Sequence, residues 1–296
     1  MPQPHRILSI GEILWDCLPQ GLFLGGAPLN VAYHVRKLGG DSTILSRIGS
    51  DFLGDQAMIR IRNSGIDDAL IGRDTELPTG YVNATIDDNG DAHYEFPEEV
   101  AWDAIHRNPV NEAWFSPWDV IVFGTLALRR APNREFVSRF LTNSPGLKIC
   151  DINLRPPFQD RMEILDIASK ANVLKMNQAE AAFLLGMRPG SMPAEVLLRK
   201  VSEFFEDKPV CITLGGQGAL FRAPGSMPIR AHAPVAEVID TVGSGDAFTA
   251  ALVIAFADDG NISVQDLEWC CKVGTTVATK PGAMPHYPAP IRQRFT

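Results

Sequence analysis

Long apolar runs are what this chain most plainly lacks: its longest uncharged apolar stretch, Ala247–Ala257, falls well short of the ~20 residues that span a bilayer. No membrane helix is expected. Basic charge is also scarce, with 27 Lys and Arg against 35 Asp and Glu across 296 residues, a formal net charge of -8 and no basic stripe dense enough for nucleic acid. No charged-then-apolar leader opens the sequence, because Arg6 runs directly into strand-like Ile7-Leu8-Ser9-Ile10, and a cytoplasmic protein is expected. Cysteines are few and odd in number: Cys17, Cys150, Cys211, Cys270 and Cys271 contain no C-x-x-C pair. They read as reduced core thiols and exclude a disulfide framework or zinc site. The six histidines, at positions 5, 34, 93, 106, 232 and 286, lack the i, i+4 spacing of a helical metal site. The P-loop pattern G-x-x-x-x-G-K-[ST] is missing, and no G-x-G-x-x-G follows an early strand. Neither repeats nor linkers rich in Gly, Ser or Pro divide the chain.

What is present is a rhythm of short apolar runs alternating with helical patterns, the signature of a parallel sheet with helices on both faces. Strands are expected over Arg6–Ile10, Ser42–Arg47, Val120–Phe123, Lys148–Asp151, Val173–Met176, Val210–Leu214 and Ala219–Phe221. Helices are expected over Leu29–Leu38, Gln56–Asn63, Arg134–Asn143, Gln178–Leu185, Ala194–Phe205, Ala247–Asp258 and Val264–Thr279. Two alternating segments break the rhythm. Ile13–Leu24 and Tyr81–Phe96, the second with Asp88-Asn89-Gly90-Asp91 as its hairpin turn, have no helices of their own and are expected to pair into a small sheet. Their position before Gly25-Gly26 suits a lid over a site. The expected division is a main α/β domain of residues 1–12, 25–78 and 99–296, with a small β lid of residues 13–24 and 79–98.

The most informative stretch is Asp240-Thr241-Val242-Gly243-Ser244-Gly245-Asp246, after a strand-like Ala236–Ile239 and before an apolar helix. Gly243 and Gly245 permit a tight turn that aims the first helical amides at whatever lies in front of them. Free amides and the positive end of the helix dipole favour an anion there. Asp246 is then either a helix-terminus charge or a general base beside bound phosphate. A second turn, Gly25-Gly26-Ala27-Pro28-Leu29-Asn30, opens a helix in which Asn30 either satisfies local backbone or faces a polyol. Asp151, Asn153 and Arg155 leave the carboxyl end of an apolar strand, where alternation puts all three on one side and open α/β sheets bind ligands. Asn177 and Glu180, three apart, fit a capping box or a ligand-facing pair on one helical face. Thr213-Leu214-Gly215-Gly216-Gln217-Gly218 is a Gly-rich turn between two apolar strands, either a plain hairpin or a close backbone approach to a nucleotide.

In sequence order, Gly25-Gly26-x-x-x-Asn30, Asp151-x-Asn153-x-Arg155, Asn177-x-x-Glu180, Thr213-Leu214-Gly215-x-x-Gly218 and Asp240-Thr241-x-Gly243-x-Gly245-Asp246 resemble the ribokinase or PfkB-type carbohydrate kinases. The spacing fits along nearly the whole chain. Gly11-Glu12-Ile13-Leu14-Trp15-Asp16 and Gly49-Ser50-Asp51-Phe52-Leu53-Gly54-Asp55 also look like segments of that family. Within it, the Gly-Gly-Ala-Pro-x-Asn and Asp-x-Asn-x-Arg segments and Lys280-Pro281-Gly282-Ala283-Met284-Pro285 are most similar to fructokinases.

The resemblance implies a three-layer α/β sandwich with a mostly parallel central sheet and a small β-sheet lid, ATP as phosphoryl donor and Mg²⁺ between the phosphates. It implies Asp246 as the base, the amides of Gly243, Ser244 and Gly245 as the anion hole, and Asp16, Gly26, Asn30, Asn153 and Arg155 around the sugar. Asn177 and Glu180 would act on metal and phosphates through water, since Mg²⁺ keeps much of its hydration. Thr213, Gly215, Gly216, Gly218 and Lys280 would line the nucleotide, and Asp240 marks a monovalent-cation (K⁺) site found in some relatives. Val242 and Ser244 stand where Thr and Ala are frequent in the family. Fructose is the first expected acceptor, with ribose, 2-keto-3-deoxygluconate or a nucleoside as alternatives and a sugar or nucleotide sensor without turnover as the rival class. A phospho-sugar would need cations at its far end, and Arg36 and Lys37 follow Asn30 too late to supply them. Exposed lid strands invite pairing, hence a homodimer.

Overall fold

In a computed structural model that describes residues 4–18, 21–86, 92–109, 114–115 and 118–287, strands and helices alternate for most of the chain. The first half runs β1 (Arg6–Ile10), β2 (Leu14–Leu18), β3 (Gly21–Gly25), α1 (Ala27–Lys37), β4 (Asp41–Gly49), α2 (Phe52–Ser64), β5 (Ile71–Asp74), β6 (Gly80–Ile86), β7 (Ala92–Glu95), β8 (Val120–Phe123) and α3 (Ala131–Asn143). The second half runs β9 (Leu147–Asp151), α4 (Arg161–Ser169), β10 (Val173–Asn177), α5 (Gln178–Leu184), α6 (Ala194–Phe204), β11 (Val210–Thr213), β12 (Ala219–Arg222), β13 (Ile229–Ala231), α7 (Ser244–Asp259) and α8 (Val264–Ala278).

A nine-stranded sheet has the order β13-β12-β11-β10-β9-β8-β1-β4-β5. It is parallel from β11 through β5, and only β12 and β13 at one edge are antiparallel. Strand β8 shows why the apolar runs are continuous. Val120 and Val122 enter one core with α1, α7 and α8, while Ile121 and Phe123 enter the other with α3, α4, α5 and α6. A strand covered on both faces has no polar side, and the three-layer sandwich follows. The chain leaves β1 toward β4 on one side and returns to β8 on the other, so the strand order reverses at β1. In such sheets the carboxyl ends beside the reversal open a crevice that takes ligands.

The second sheet, in the order β3-β2-β6-β7, is small and separate. Strand β2 pairs antiparallel with β3 and parallel with β6, placing Asp16 between Phe23 and Val82. The hairpin turn expected at Asp88–Asp91 lies outside the described residues. All five cysteines are free, four buried and Cys17 half-buried. Among the described residues no helix is long and apolar enough to cross a membrane.

Local chemistry explains where boundaries moved. Helix α2 begins at Phe52, earlier than its periodicity suggests, because the Asp51 carboxylate accepts from the Gly54 amide at 2.8 Å. Strands β5 and β13, helix α4 and a kinked 3-10 segment, Ala101–Arg107, are further elements that the apolar patterning does not announce. Ala236–Ile239, expected to end a strand, is not one. Beyond β13 it has no ladder partner among the described residues; the Ile239 amide, and that of Asp240 just after it, donate to the Ala278 carbonyl, while Val238 and Ile239 are exposed.

Asp51 also accepts from the Thr79 amide and hydroxyl, both at 2.7 Å, joining the start of α2 to the residue before β6. Asp51→Ala is expected to cost about 1–3 kcal/mol and to lower the thermal midpoint by several degrees in a circular-dichroism melt. A midpoint unchanged within a degree would show that the cap carries no such weight.

Candidate active site

Helix α7 starts without a side-chain cap, on Gly243 in the left-handed region at φ 75°. A side chain there is impossible, because a Cβ would lie 2.6 Å from the Cα of Ala283. Ala283 is held in turn: its carbonyl accepts from Nε2 of His34 at 2.9 Å, while the Tyr287 hydroxyl donates to Nδ1 at 2.7 Å. Burial drives the His34 pKa down to about 3, so the ring is neutral and suits both bonds. Asp240 closes the turn from below, accepting from the amides of Val242 and Gly282, each at 2.9 Å. Ser244 donates its amide to the Thr241 carbonyl at 3.2 Å and its hydroxyl to the Gly274 carbonyl at 3.0 Å. The amides of Gly245 and Asp246, in the first helical turn, have no acceptor within the helix.

Asp246 is buried, 9% exposed, and the Asn30 amide donates to its Oδ2 at 2.7 Å. Burial raises its pKa; Asp151 adds to the rise, while Asn30, Lys175 and Arg155 oppose it. Asn30 comes from α1, whose N-terminus is Gly26 at φ 107°, where a Cβ would strike the Glu12 carbonyl at 2.4 Å. The Asn30 Oδ1 is buried and has no hydrogen-bond partner among the described residues. An orphaned acceptor beside a basic carboxylate is a place for a hydroxyl.

Glu12, Asp151, Asn153 and Arg155 line the crevice at the strand reversal, together with Ala27 and Thr125. The crevice floor is narrow, ≈ 20 Å³, about one water molecule. A wider cleft of ≈ 410 Å³ lies at the amino ends of β1 and β4, between Arg6, Asp41 and Arg62, and none of the sequence motifs reaches it. Burial lifts Glu12 to about 7 and Asp16, on β2, to about 6; Arg155 lowers both and Asp246 raises both. Three acids thus share one exposed guanidinium.

Strand alternation does not account for Asp151, Asn153 and Arg155, because β9 ends at Asp151 and Asn153 turns left-handed at φ 43°. Asp151 instead accepts from Lys175 Nζ at 2.9 and 3.1 Å and from the Thr249 hydroxyl at 2.7 Å, under the first turn of α7. Burial would depress Lys175, but the carboxylates of Asp151 and Glu180 outweigh it and hold the pKa above the usual lysine value. Asn177 and Glu180 form a reciprocal capping box at α5: Glu180 accepts the Asn177 amide at 2.7 Å and, with its other oxygen, the Leu154 amide at 2.9 Å. Burial raises the Glu180 pKa. Thr213 is in register with Asn177, and Gly215 and Gly216 lie exposed in the turn that leads to buried Gly218. Lys280 follows the end of α8, two residues before Gly282. Glu12, Lys175, Thr249 and His34 received no role from the motifs. Lys175 had a signal, since a lysine inside the buried run Val173–Met176 must find a buried partner.

A buried carboxylate beside uncapped helical amides, near the strand reversal of an α/β sandwich, fits a small-molecule phosphotransferase. Residues 20–284 match the profile of the pfkB family carbohydrate kinases, and the chain belongs to that family. It is similar to fructokinase-1 of Oryza sativa subsp. japonica, 28% identical over 96% of this chain and 95% of that protein. Fructokinase-1 of Zea mays is 27% identical over 95% and 94%. Among solved structures, a fructokinase from Xylella fastidiosa with bound ATP superposes with a TM-score of 0.82 at 20% identity, covering 96% of this chain and 95% of that one. A Vibrio cholerae fructokinase with fructose, ADP and calcium bound superposes at 0.79 and 22% identity, covering 95% and 94%. These likenesses establish the ribokinase-like fold.

Glu12 permits a test of the site's electrostatics without turnover. Its carboxyl ionises near 4.5 when exposed but near 7 in the fold, so the stability it contributes falls as pH rises between those values. Glu12→Gln removes that loss. The difference in thermal midpoint, variant minus parent, should grow by several degrees from pH 5 to pH 8; parallel profiles would contradict the burial of this acid.

Proposed function

We propose that this carbohydrate kinase transfers the terminal phosphoryl group of ATP to a hydroxyl of fructose, with Asp246 as general base. The observation that carries this is the juxtaposition of buried Asp246, uncapped amides of α7 and the unpartnered Oδ1 of Asn30. The fructokinases of rice and maize, alike along nearly their whole lengths, support fructose. ATP is supported by its presence in the Xylella fastidiosa structure.

In this reading Asp246 takes the hydroxyl proton as the oxygen attacks. Its raised pKa makes it a stronger acceptor near neutral pH, and such assistance contributes roughly 10²–10⁴-fold. Asn30 aims the carboxylate through its bond to Oδ2 and accepts a second sugar hydroxyl at Oδ1. Arg155, Asn153, Asp16 and the Gly26 turn hold the rest of the sugar above the crevice floor. The amides of Gly243, Ser244 and Gly245, with the positive end of the α7 dipole, stabilise charge gathering on the transferred group. Ser244 must loosen its 3.2 Å bond to Thr241 to take part. Thr213, Gly215, Gly216, Gly218 and Lys280 line the nucleotide.

Both Glu180 oxygens are occupied by amides, so this residue and Asn177 fit an ion that keeps its water, as Mg²⁺ does. When bound, Mg²⁺ would neutralise phosphate charge. Asp240, with an amide on each oxygen, would meet a monovalent cation only through its remaining lone pairs. The small sheet serves as the lid, carrying Asp16 over the sugar and keeping water from the reaction. Its edge strand β3 exposes Leu22 and Phe23, a surface for pairing with a second copy.

Asp246→Asn should lower sugar-dependent ADP release by roughly 10²–10⁴-fold while the protein stays folded. Activity within a few-fold of the parent would remove Asp246 as the base. The same assay across fructose, ribose, adenosine, 2-keto-3-deoxygluconate and fructose 6-phosphate decides the acceptor, and a preference for any but fructose overturns that part of the reading.

A further inference from the structure

One buried cation takes no part in this chemistry. Arg129, just after the 3-10 turn Leu126–Leu128 that follows β8, has a side chain only 2% exposed. Its Nε and Nη2 donate to the two oxygens of Asp103 at 2.7 and 2.6 Å, and Nη2 also donates to the Pro97 carbonyl at 2.6 Å. The guanidinium lies between two rings, 4.1 Å from the centroid of Trp102 and 4.3 Å from that of Phe158. Its Nη1 is buried and has no hydrogen-bond partner among the described residues.

Those contacts belong to two parts of the proposed acceptor site. Pro97, Trp102 and Asp103 form the base on which the small sheet stands. The Ala101 amide donates to the Pro78 carbonyl at 2.8 Å, joining the two chain segments that flank the β6–β7 excursion. Gly80, the first residue of β6, packs so tightly on Trp102 that a Cβ would lie 2.3 Å from its Nε1. Phe158 belongs to the other part: its amide donates to the Arg155 carbonyl at 2.9 Å, and Phe96 meets it edge-on at 6.3 Å. A single flat cation therefore spans the gap between the small sheet's base and the turn that carries Arg155.

Stability alone is a poor reason for this arrangement. Burying an ion pair costs desolvation that apolar side chains of equal volume avoid. Leaving Nη1 unsatisfied adds to that cost. What the guanidinium supplies instead is directional: a fork that fixes Asp103 and a plane that fixes two rings, neither of which a lysine ammonium reproduces.

We propose that Arg129 is a positioning residue that locks the base of the small sheet to the Arg155 turn, so that lid and acceptor-binding arginine move as one unit. The use of this unit in sugar binding rests on the function proposed above; the coupling itself does not. Two variants keep Asp103 from being left alone: Arg129→Lys retains the charge, and Phe158→Leu removes one ring and leaves the ion pair intact.

Hydrogen exchange on the ligand-free protein reads the coupling. In both variants the amides of residues 98–103 and those of Arg155, Phe158 and Gln159 should exchange faster together, by about tenfold or more, while the cores of β8 and α7 keep their protection. A rise in only one of the two segments, or no rise, overturns the proposal. Kinetics read its use: KM for the sugar should rise about tenfold with KM for ATP within twofold, and sugar-independent ADP release should increase relative to turnover. Equal rises in both KM values with a falling thermal midpoint would mean general destabilisation and would also overturn it. Absence of sugar-dependent turnover in the parent would instead count against the proposed function, and the exchange result would still decide the coupling.

Discussion

The constraint on which this molecule turns is that α7 begins with no side-chain cap, leaving the amides of Gly245 and Asp246 without an acceptor in the helix. Helices α2, α4, α5 and α8 each close their N-termini with a side chain, from Asp51, Asp160, Asn177 and Ser263 respectively. Helices α1, α3, α6 and α7 do not; of these only α1 and α7 start on a glycine with positive φ, and they meet through the bond between Asn30 and Asp246. An uncapped helix start is unfavourable unless something holds its shape and something later occupies it. Shape comes from the segment after α8, whose Ala283 fills the space that a side chain on residue 243 would need and is fastened by neutral His34. A helix start held open in this way is one that favours an anion in front of it.

Charge around the site is balanced by burial as much as by pairing. Glu12, Asp16 and Asp246 are all held above their ordinary pKa values, chiefly by desolvation, and Arg155 is the cation they share. Asp151 is held by pairing, to Lys175 and Thr249 behind the α7 turn. That pair places one compensated charge beneath the amides and leaves the front free. The small sheet enters the same balance through Asp16, which arrives on β2 from outside the main sandwich.

Much of the architecture was legible from patterning, since a strand buried on both faces leaves a short apolar run and a covering helix leaves a 3.6-residue period. Strands β1 and β8 and the helical run from α5 to α6 match the expected elements within a residue or two. Ala236–Ile239 misled because apolar side chains in alternation make a strand only if a partner presents its edge. The small-residue turn at Gly243 was legible as a tight turn opening an apolar helix because glycine spacing is a local property, and α7 does start there on a left-handed glycine. Arg129 carried no such mark: nothing local says that an arginine after a 3-10 turn will lie between Trp102 and Phe158.

Sequence by itself determined the sandwich, the order of its motifs and the residue types that chemistry needs, because periodicity, glycine placement and capping are local properties written in consecutive residues. Only the tertiary structure decided which oxygen of Asp246 is engaged, that Asn30 keeps an acceptor free, that Asp151 turns inward to Lys175, and that burial makes Glu12 and Asp16 weak acids. Desolvation and hydrogen-bond geometry depend on groups brought together from distant parts of the chain, and no window of neighbouring residues contains them.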